Sequence, residues 1–289
     1  MITALTGQEH GEIYVSSDAP KNSDEVEVNE VRIYLKSLLD QGIIDHLKLR
    51  EKNLGISAAV TGGIDWFFQN EKMGLIIEDD IVLLEGTMHT ISNIVPILLN
   101  SIDIYSINLR NEVPPNRLSH PFHLGRMSRL VSSHGWITSA IKWNQFRTDY
   151  RYVTRRQIFR GIPAEFGFWQ KKAFIEALKR NKRLEQNLKQ SWDLNWQAYV
   201  FAKLGKTIQL NQNFVDYIGY DNFSTHHTSQ PRLKDRQASD IKVQLDDIIG
   251  DWDIYADKFR FKIGMRHSIP RYIVRKSRLN SLFKNIWNW

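Results

Sequence analysis

The chain has 289 residues, of which 42% are hydrophobic and 25% are charged, as in a globular protein with a sizeable core. It contains no cysteine, which excludes disulfide bonds and thiolate metal sites. It also lacks a run of about eighteen apolar residues, and its N-terminus lacks the basic-then-apolar layout of a signal peptide. The sequence therefore predicts a cytoplasmic protein without a membrane-spanning helix.

The net charge of +7 is concentrated at the C-terminus. Residues 258–289 contain nine Lys/Arg and no Asp or Glu, whereas residues 1–257 contain 30 Lys/Arg and 32 Asp/Glu. The predicted organisation is a near-neutral domain, residues 1–257, followed by a basic tail, residues 258–289. Because nucleic-acid-binding proteins usually carry the basic surface on the folded domain, we expect no nucleic-acid partner.

Apolar residues recur at helical spacing in the tail from Ile269 to Trp287, and arginines and lysines lie between them. A basic amphipathic helix of this kind can lie in a membrane interface and favour anionic lipid. It can equally dock on the domain with its apolar side buried. The sequence leaves both alternatives open, and the first would make the protein peripheral to the membrane.

The first elements alternate in type. Residues 11–16, 46–50 and 74–77 are typical of strands, and residues 26–39 and 58–70 have the apolar spacing of helices. The order strand, helix, strand, helix, strand implies right-handed crossovers. The prediction is an α/β fold with a mixed, mostly parallel sheet flanked by helices.

Further along the chain, residues 102–108 are predicted to form a strand and residues 110–134 a long loop. Five arginines between residues 147 and 160 could meet a diphosphate, but a solvated surface is favoured. A glycine and aromatic segment at 133–143 is interpreted as a tight turn packed by Trp136, rather than as a close approach of the backbone to a ligand.

Three acidic residues, Glu78, Asp79 and Asp80, follow the apolar strand at 74–77 directly. Ligands of open α/β sheets bind outside the carboxyl ends of the strands. Neighbouring carboxylates repel each other, so a fold that gathers them usually supplies a cation, and oxygen ligands suit Mg²⁺ or Mn²⁺. The pattern favours a metal site over an acidic turn on a solvated loop.

Asp193 lies between Trp192 and Trp196 near the start of a predicted helix that runs to about residue 203. A carboxylate flanked by aromatic rings is partly desolvated and is suited to proton abstraction. An Asp that only caps the helix is the alternative. The tryptophans, together with Trp136, could form a platform for sugar rings or belong to the core.

Five segments in series carry a family resemblance: NLGISAAVTGGIDWFF, GLIIEDDIVL, SHGWITSAIKW, SWDLNWQ and NFVDYIGYDNFSTHHT. Over about residues 11–230 the chain resembles bacterial nucleotide-sugar glycosyltransferases that are distantly like the N-acetylglucosaminyltransferase I family. The resemblance implies a GT-A-like fold. It also implies a strand before residue 11. Residues 1–9 are too few to supply that strand, so the sheet is expected to lack its first strand.

The resemblance implies a role for each acidic residue of the donor site. The EDD triplet stands at the family's variant of the DxD motif, so Asp80 would ligate Mn²⁺ or Mg²⁺ bound to the nucleotide diphosphate. Glu78 and Asp79 would contact the ribose or metal-bound water. Asp18 resembles a residue that lines the nucleoside pocket.

By the same resemblance, Asp193 is the catalytic base that deprotonates the acceptor hydroxyl. His226 or His227 lies in a late loop that closes over the donor and would touch the diphosphate or the metal. The implied function is a metal-dependent, inverting glycosyltransferase with a UDP-linked donor and a glycan or lipid-linked acceptor. The alternative is a non-catalytic nucleotide- or glycan-binding descendant of this fold.

Overall fold

The computed structural model describes residues 2, 6–21, 24–184, 190–218 and 249–265. The helices are α1 (Glu25–Asp40), α2 (Ile56–Phe67), α3 (Thr87–Asn100), α4 (Ala140–Asp149), α5 (Arg155–Gly161), α6 (Phe168–Leu184), α7 (Trp192–Ala202) and α8 (Ile254–Met265). The strands are β1 (Tyr14–Ser17), β2 (His46–Leu49), β3 (Met73–Ile76), β4 (Ile81–Leu83), β5 (Ile104–Asn108), β6 (Gly125–Ser128), β7 (Trp136–Ser139), β8 (Lys206–Leu210), β9 (Val215–Tyr217) and β10 (Ile249–Trp252). The α/β class is confirmed.

The first strand–helix–strand unit forms as its pattern predicts. β1 and β2 pair in parallel, and α1 connects them. The helical spacing of α1 places Leu35 and Leu38 against Ile13 and Ile44, so a small core holds the helix on the strand pair. Among the described residues this pair is separate from the larger sheet.

The larger sheet has six strands in the order β10-β6-β8-β5-β7-β3. Neighbours β10 and β6, and β8 and β5, are parallel, whereas the three remaining pairings are antiparallel. The sheet is mixed, as predicted, but the prediction that it is mostly parallel is wrong. That prediction relied on helical crossovers, and the connection from β6 to β7 contains no helix, so no crossover constrains the direction of β7.

Two further expectations need correction. β3 is an edge strand with half-buried residues rather than a fully buried strand, because only β7 pairs with it in the described sheet. Within the predicted loop at 110–134, Gly125–Ser128 forms β6. This strand escaped prediction because its central Arg126 is polar; the side chain is buried and donates to Asn111 and Asn211.

Apolar side chains cover both sides of the six-stranded sheet. On one side, Ile94 and Leu98 of α3 pack against the sheet in a buried apolar cluster that also contains Ile137 of β7. On the other side, the neighbouring Trp136 joins a cluster of aromatic residues supplied by α2, α4 and α7. Successive residues of a strand point to opposite sides, so β7 contributes to both cores.

α5 and α7 pack with unusually close backbones. A β-carbon at Gly161 would lie 1.8 Å from the carbonyl oxygen of Phe201, so only glycine permits this contact. Ile158 of α5 is buried in the same cluster as Ala198 and Phe201 of α7. The two helices therefore form one unit without side chains between them at the contact.

α8 crosses the predicted domain boundary between residues 257 and 258 without a break. Ala256, Asp257 and Phe261 are buried, so the helix is packed on the domain. The rest of the predicted tail, residues 266–289, lies outside the described residues. Among the residues that are described, no helix is both long enough and apolar enough to cross a membrane.

Candidate functional site

The loop between β3 and β4 holds the acidic triplet. The N–H of Ile81 donates to the carbonyl of Glu78 at 3.1 Å, and this turn leads into β4. β4 pairs with β9, and the N–H of Ile218 after β9 donates to the carbonyl of Asp80 at 2.9 Å. Asp79 is exposed, whereas Glu78 and Asp80 are half-buried. The two strand ends thus hold the carboxylates in place.

The acidic loop and Asp193 interact electrostatically. The pKa of Glu78 is raised to about 7, first by burial and then by the charges of Asp80, Asp193 and Asp79. A charge affects another group in this way only when the two are close. The fold therefore places Glu78 of the acidic loop within electrostatic range of Asp193, the predicted base.

Asp80 has a mixed environment. Burial and the charge of Asp79 raise the pKa of the Asp80 carboxyl, whereas a hydrogen bond from Tyr217 and the nearby His134 lower it. Tyr217 ends β9 directly opposite Ile81 in the strand pairing. One side of Asp80 is thus held by a hydroxyl donor while the other meets a like charge.

Asp193 lies in the first turn of α7 and its side chain lines a cavity of about 530 Å³. Its Oδ1 accepts hydrogen bonds from the hydroxyl of Ser191 and from the N–H of Leu194. The N-cap residue of α7 is Ser191, so the alternative in which Asp193 is the N-cap is excluded. The helix start positions this carboxylate at the cavity wall.

The cavity has both polar and apolar lining residues. The apolar lining comes from α6, α7 and α8 and from the loops at 113–115 and 130–131. The polar residues besides Asp193 include Arg110, Glu112, Gln197, Asn213 and Arg260, and the apolar residues include Val131, Phe174, Leu194, Phe261 and Ile263. Such a lining suits a ligand that has both hydroxyl groups and apolar surface.

Two of the polar lining residues of the cavity form an ion pair. Arg260 Nε lies 2.8 Å from Glu112 Oε2, and Arg260 Nη2 donates to the carbonyl of Val131 at 3.0 Å. Burial alone would raise the pKa of Glu112, but Arg260, His134 and Arg110 outweigh it and hold that pKa well below its usual range. Because Arg260 belongs to α8, the C-terminal helix takes part in the site.

His134 is a site residue that the sequence reasoning missed. Burial lowers the pKa of its imidazole, opposed by the charges of Glu112 and Asp80. The next residue, Gly135, has φ +73°, and a β-carbon there would lie 2.8 Å from Val215. The signal in the sequence was the glycine of the segment at 133–143. No other residue fits at Gly135, and its backbone conformation places His134 near both Asp80 of the acidic loop and Glu112 of the cavity.

Asp18 has a structural task in this fold. Its carboxylate accepts hydrogen bonds from the N–H groups of Ala19, Leu54 and Gly55, at 3.0 to 3.1 Å. Both oxygens are engaged, and the turn after β1 is thereby tied to the turn after β2. Among the described residues its carboxylate makes no hydrogen bond to the acidic loop, and its predicted contact with a nucleoside stays a prediction.

Arg50, at the end of β2, was also missed. Its Nε and Nη2 are buried and have no hydrogen-bond partner among the described residues. A β-carbon at Gly62 of α2 would lie 2.7 Å from Nη2, so the glycine leaves room for the guanidinium. An unpaired guanidinium near the carboxyl ends of β1 and β2 is able to receive an acceptor group of a ligand.

The tryptophans belong to the core. Trp136, Trp192 and Trp196 are buried and stack on or tilt against one another, with ring centroids of Trp136 and Trp192 at 5.5 Å. The structure therefore decides against a sugar platform made of these rings. Their contacts pack the first turns of α7, which contain Asp193, against the core.

The remaining predicted residues fall into two groups. Arg147, Arg151, Arg155, Arg156 and Arg160 are exposed, as a solvated surface requires, and their alternative contact with a diphosphate stays untested. His226 and His227 lie outside the described residues, and their predicted role is untested. A comparison with protein-family models finds no match, and a comparison with curated proteins finds no relative.

Proposed function

We propose that the chain is a metal-dependent glycosyltransferase that transfers a sugar from a UDP-linked donor to a hydroxyl of a glycan or lipid-linked acceptor, with inversion. The observation that carries the proposal is that Glu78 of the acidic loop lies close enough to feel the charge of Asp193, which itself lines the cavity. The five sequence segments that resemble nucleotide-sugar glycosyltransferases support the same reaction. A GT-A-like assignment of the α/β fold is part of this proposal.

The acidic loop fits a divalent cation by the chemistry of its donors. Its carboxylates are crowded, and burial with like charges raises the pKa of Glu78 to about 7. Among the described residues no set of three or more His, Asp or Glu is placed to hold a metal by itself. Mg²⁺ commonly needs only one or two carboxylates, because substrate phosphates and water complete its coordination. Asp80 would hold the ion, with Glu78 and Asp79 contacting the ribose or metal-bound water.

The cavity is the proposed acceptor site. A general base must lie within hydrogen-bond reach of the hydroxyl that it deprotonates. Since Asp193 lines the cavity, the reacting hydroxyl is expected there, and Arg110, Gln197 and Asn213 offer further polar contacts. The apolar lining residues can cover a sugar ring or the start of a lipid chain and exclude water from the reaction.

The reaction uses the two acidic elements in different ways. When bound, the metal neutralises the charge of the departing nucleoside diphosphate. Asp193 accepts the proton of the acceptor hydroxyl while that oxygen forms a bond to the anomeric carbon. The bond from the anomeric carbon to the diphosphate breaks, and its electron pair leaves with the diphosphate oxygen. Attack opposite to the leaving group inverts the anomeric centre.

Calorimetric titration with UDP tests the donor site. We expect the full chain to bind UDP in the presence of Mn²⁺, and we expect Asp80→Asn to weaken this binding roughly a hundredfold because a ligand of the ion is lost. Asp216→Asn is the matched control, since Asp216 is exposed and lies on the neighbouring strand β9. A folded chain that binds UDP equally well with and without Mn²⁺, or not at all, would overturn the proposal.

A further inference from the structure

The outward surface of α5 and α6 is strongly basic. From Arg155 to Leu184 the chain contains nine Lys/Arg and two Glu. Of the two acids, Glu176 pairs with Lys179 at 2.5 Å, and Glu165 lies in the turn between the helices. We call this surface the basic face, defined by Arg155, Arg156, Arg160, Phe168, Trp169 and Lys172.

Packing decides which side chains of α5 point outward. Ile158 and Gly161 are buried against α7, so Arg156 and Arg160 are exposed on the opposite side of the helix. Arg155 is exposed at the first residue of α5. Arg156 and Arg160 are four residues apart, which places them on the same side of the helix. Their charges therefore project together into solvent.

Aromatic residues lie among these charges. Phe168 and Trp169 begin α6 with exposed fractions of 56% and 50%, although rings of this size are usually buried. The ring of Phe168 contacts Phe159 of α5 at 6.2 Å, edge to face, and Lys172 Nζ lies 5.3 Å from the Phe168 centroid. The contacts join α5 and α6 into one continuous surface.

We propose that the basic face binds an anionic lipid bilayer, with Phe168 and Trp169 in the headgroup region and the arginines of α5 at the lipid phosphates. Trp and Phe prefer the membrane–water interface, and clustered Lys/Arg are attracted to anionic headgroups. Two adjacent exposed aromatic residues can enter a lipid surface. This proposal does not depend on the proposed sugar transfer or on the predicted role of residues 266–289.

Liposome flotation of the full chain tests the proposal. We expect binding to phosphatidylcholine liposomes that contain about one third phosphatidylglycerol, no binding to phosphatidylcholine alone, and weaker binding as salt rises well above about 0.1 M. Arg155→Gln/Arg156→Gln/Arg160→Gln and Phe168→Ala/Trp169→Ala should each reduce the partition coefficient roughly tenfold or more, because each removes a source of attraction.

Two control variants match these changes elsewhere on the molecule. Lys21→Gln/Lys36→Gln/Lys52→Gln removes three exposed charges near β1, α1 and β2, and Phe122→Ala removes a ring that is 91% exposed. Both should bind liposomes like the unchanged chain. Unaltered thermal unfolding of all variants shows that they fold.

Three outcomes would overturn the proposal. They are equal binding by the unchanged chain and both basic-face variants, equal binding to neutral and anionic liposomes, and binding to a short DNA duplex without binding to liposomes. Nucleotide titration of the basic-face variants should match the unchanged chain, so failure here is distinguishable from failure of the proposed function.

Discussion

Two regions of the molecule hold an acidic side chain that is removed from water, but the surroundings of the two acids differ. Burial is the first cause that raises the pKa of both Asp257 in α8 and Glu78 in the acidic loop. Asp257 is surrounded by donors: the hydroxyl of Ser128 at 2.6 Å, the N–H of Arg129 at 2.7 Å and the indole N–H of Trp252 at 2.8 Å. Glu78 instead experiences the like charges of Asp80, Asp193 and Asp79.

The contrast separates a structural carboxylate from a candidate functional one. The donors around Asp257 compensate in part for the water that its carboxylate loses, and they join α8 to β6 and β10. The described residues provide no such donors to Glu78, and the charges of Asp80 and Asp193 disfavour its ionised form until a cation or a substrate is added. Charge alone does not distinguish the two cases, but their neighbours do.

The largest expected effect tests the functional side of the contrast. Asp193→Asn should lower the rate of sugar transfer by roughly a thousandfold, because general-base catalysis is typically worth about a hundred- to ten-thousandfold. Binding of UDP with Mn²⁺ should change little, since the amide keeps the shape of the side chain. Steady-state kinetics and nucleotide titration would measure the two effects. An equal loss of both would mean that Asp193 is not the base.

The next effect tests the structural side. Asp257→Ala should lower the free energy of unfolding by about 3 kcal/mol, because three donors, one of them fully buried, lose their acceptor. Urea unfolding with and without the substitution would measure the difference. Asp251→Ala, a change of an exposed acid before α8, is the control. A loss below about 1 kcal/mol would show that these donors are easily satisfied in other ways.

Glu78→Gln should have the opposite sign to Asp257→Ala in the metal-free protein. The folded-state pKa of Glu78, about 7, lies above its unfolded value of 4.5, so its contribution to stability is lost as the pH rises from 4.5 through 7. Above pH 7 the variant should be more stable by about 1 to 3 kcal/mol. Urea unfolding of the variant and of the unchanged chain with a chelator, between pH 5 and pH 8, would show whether the stability difference between them appears as the pH rises. A constant difference across this range would contradict the prediction.

The smallest effect concerns Glu112, whose neighbours are cations. The pKa of Glu112 is lowered, so its contribution to stability is present above its unfolded value and is lost as the pH falls through the folded one. Because the side chain is 41% exposed, solvent screens the pair with Arg260, and we expect Glu112→Gln to cost below about 1 kcal/mol near pH 6. The cost should shrink in unfolding measurements toward pH 3. A cost that grows on acidification would be inconsistent with the pairing.

Local patterns predicted the elements well and their arrangement less well. The apolar spacing of residues 26–39 is sufficient to predict α1, and the acidic triplet is recognisable because it follows an apolar strand. β6 was missed because Arg126 is buried in contacts with Asn111 and Asn211, which are distant in sequence. Strand directions depend on such distant contacts, which residue periodicity does not record.

The candidate site was predicted in the same incomplete way. The acidic loop and Asp193 carry visible motifs, and the structure places Glu78 within electrostatic range of Asp193. His134, Glu112 and Arg260 become site residues only through folding, because their neighbours come from separate elements. Asp18 shows the reverse limit, since its conspicuous position after a strand serves hydrogen bonds to the backbone.

The close contact at Gly161 has a consequence for orientation. α5 carries part of the basic face and α7 begins beside Asp193, and the backbones of these helices touch at Gly161 and Phe201. A contact of backbone on backbone has no side chain that can change rotamer, so the two helices turn together. If the basic face rests on a lipid surface, the cavity keeps one height and one tilt above it. A lipid-linked acceptor that diffuses in that plane would then meet Asp193 by a search in two dimensions.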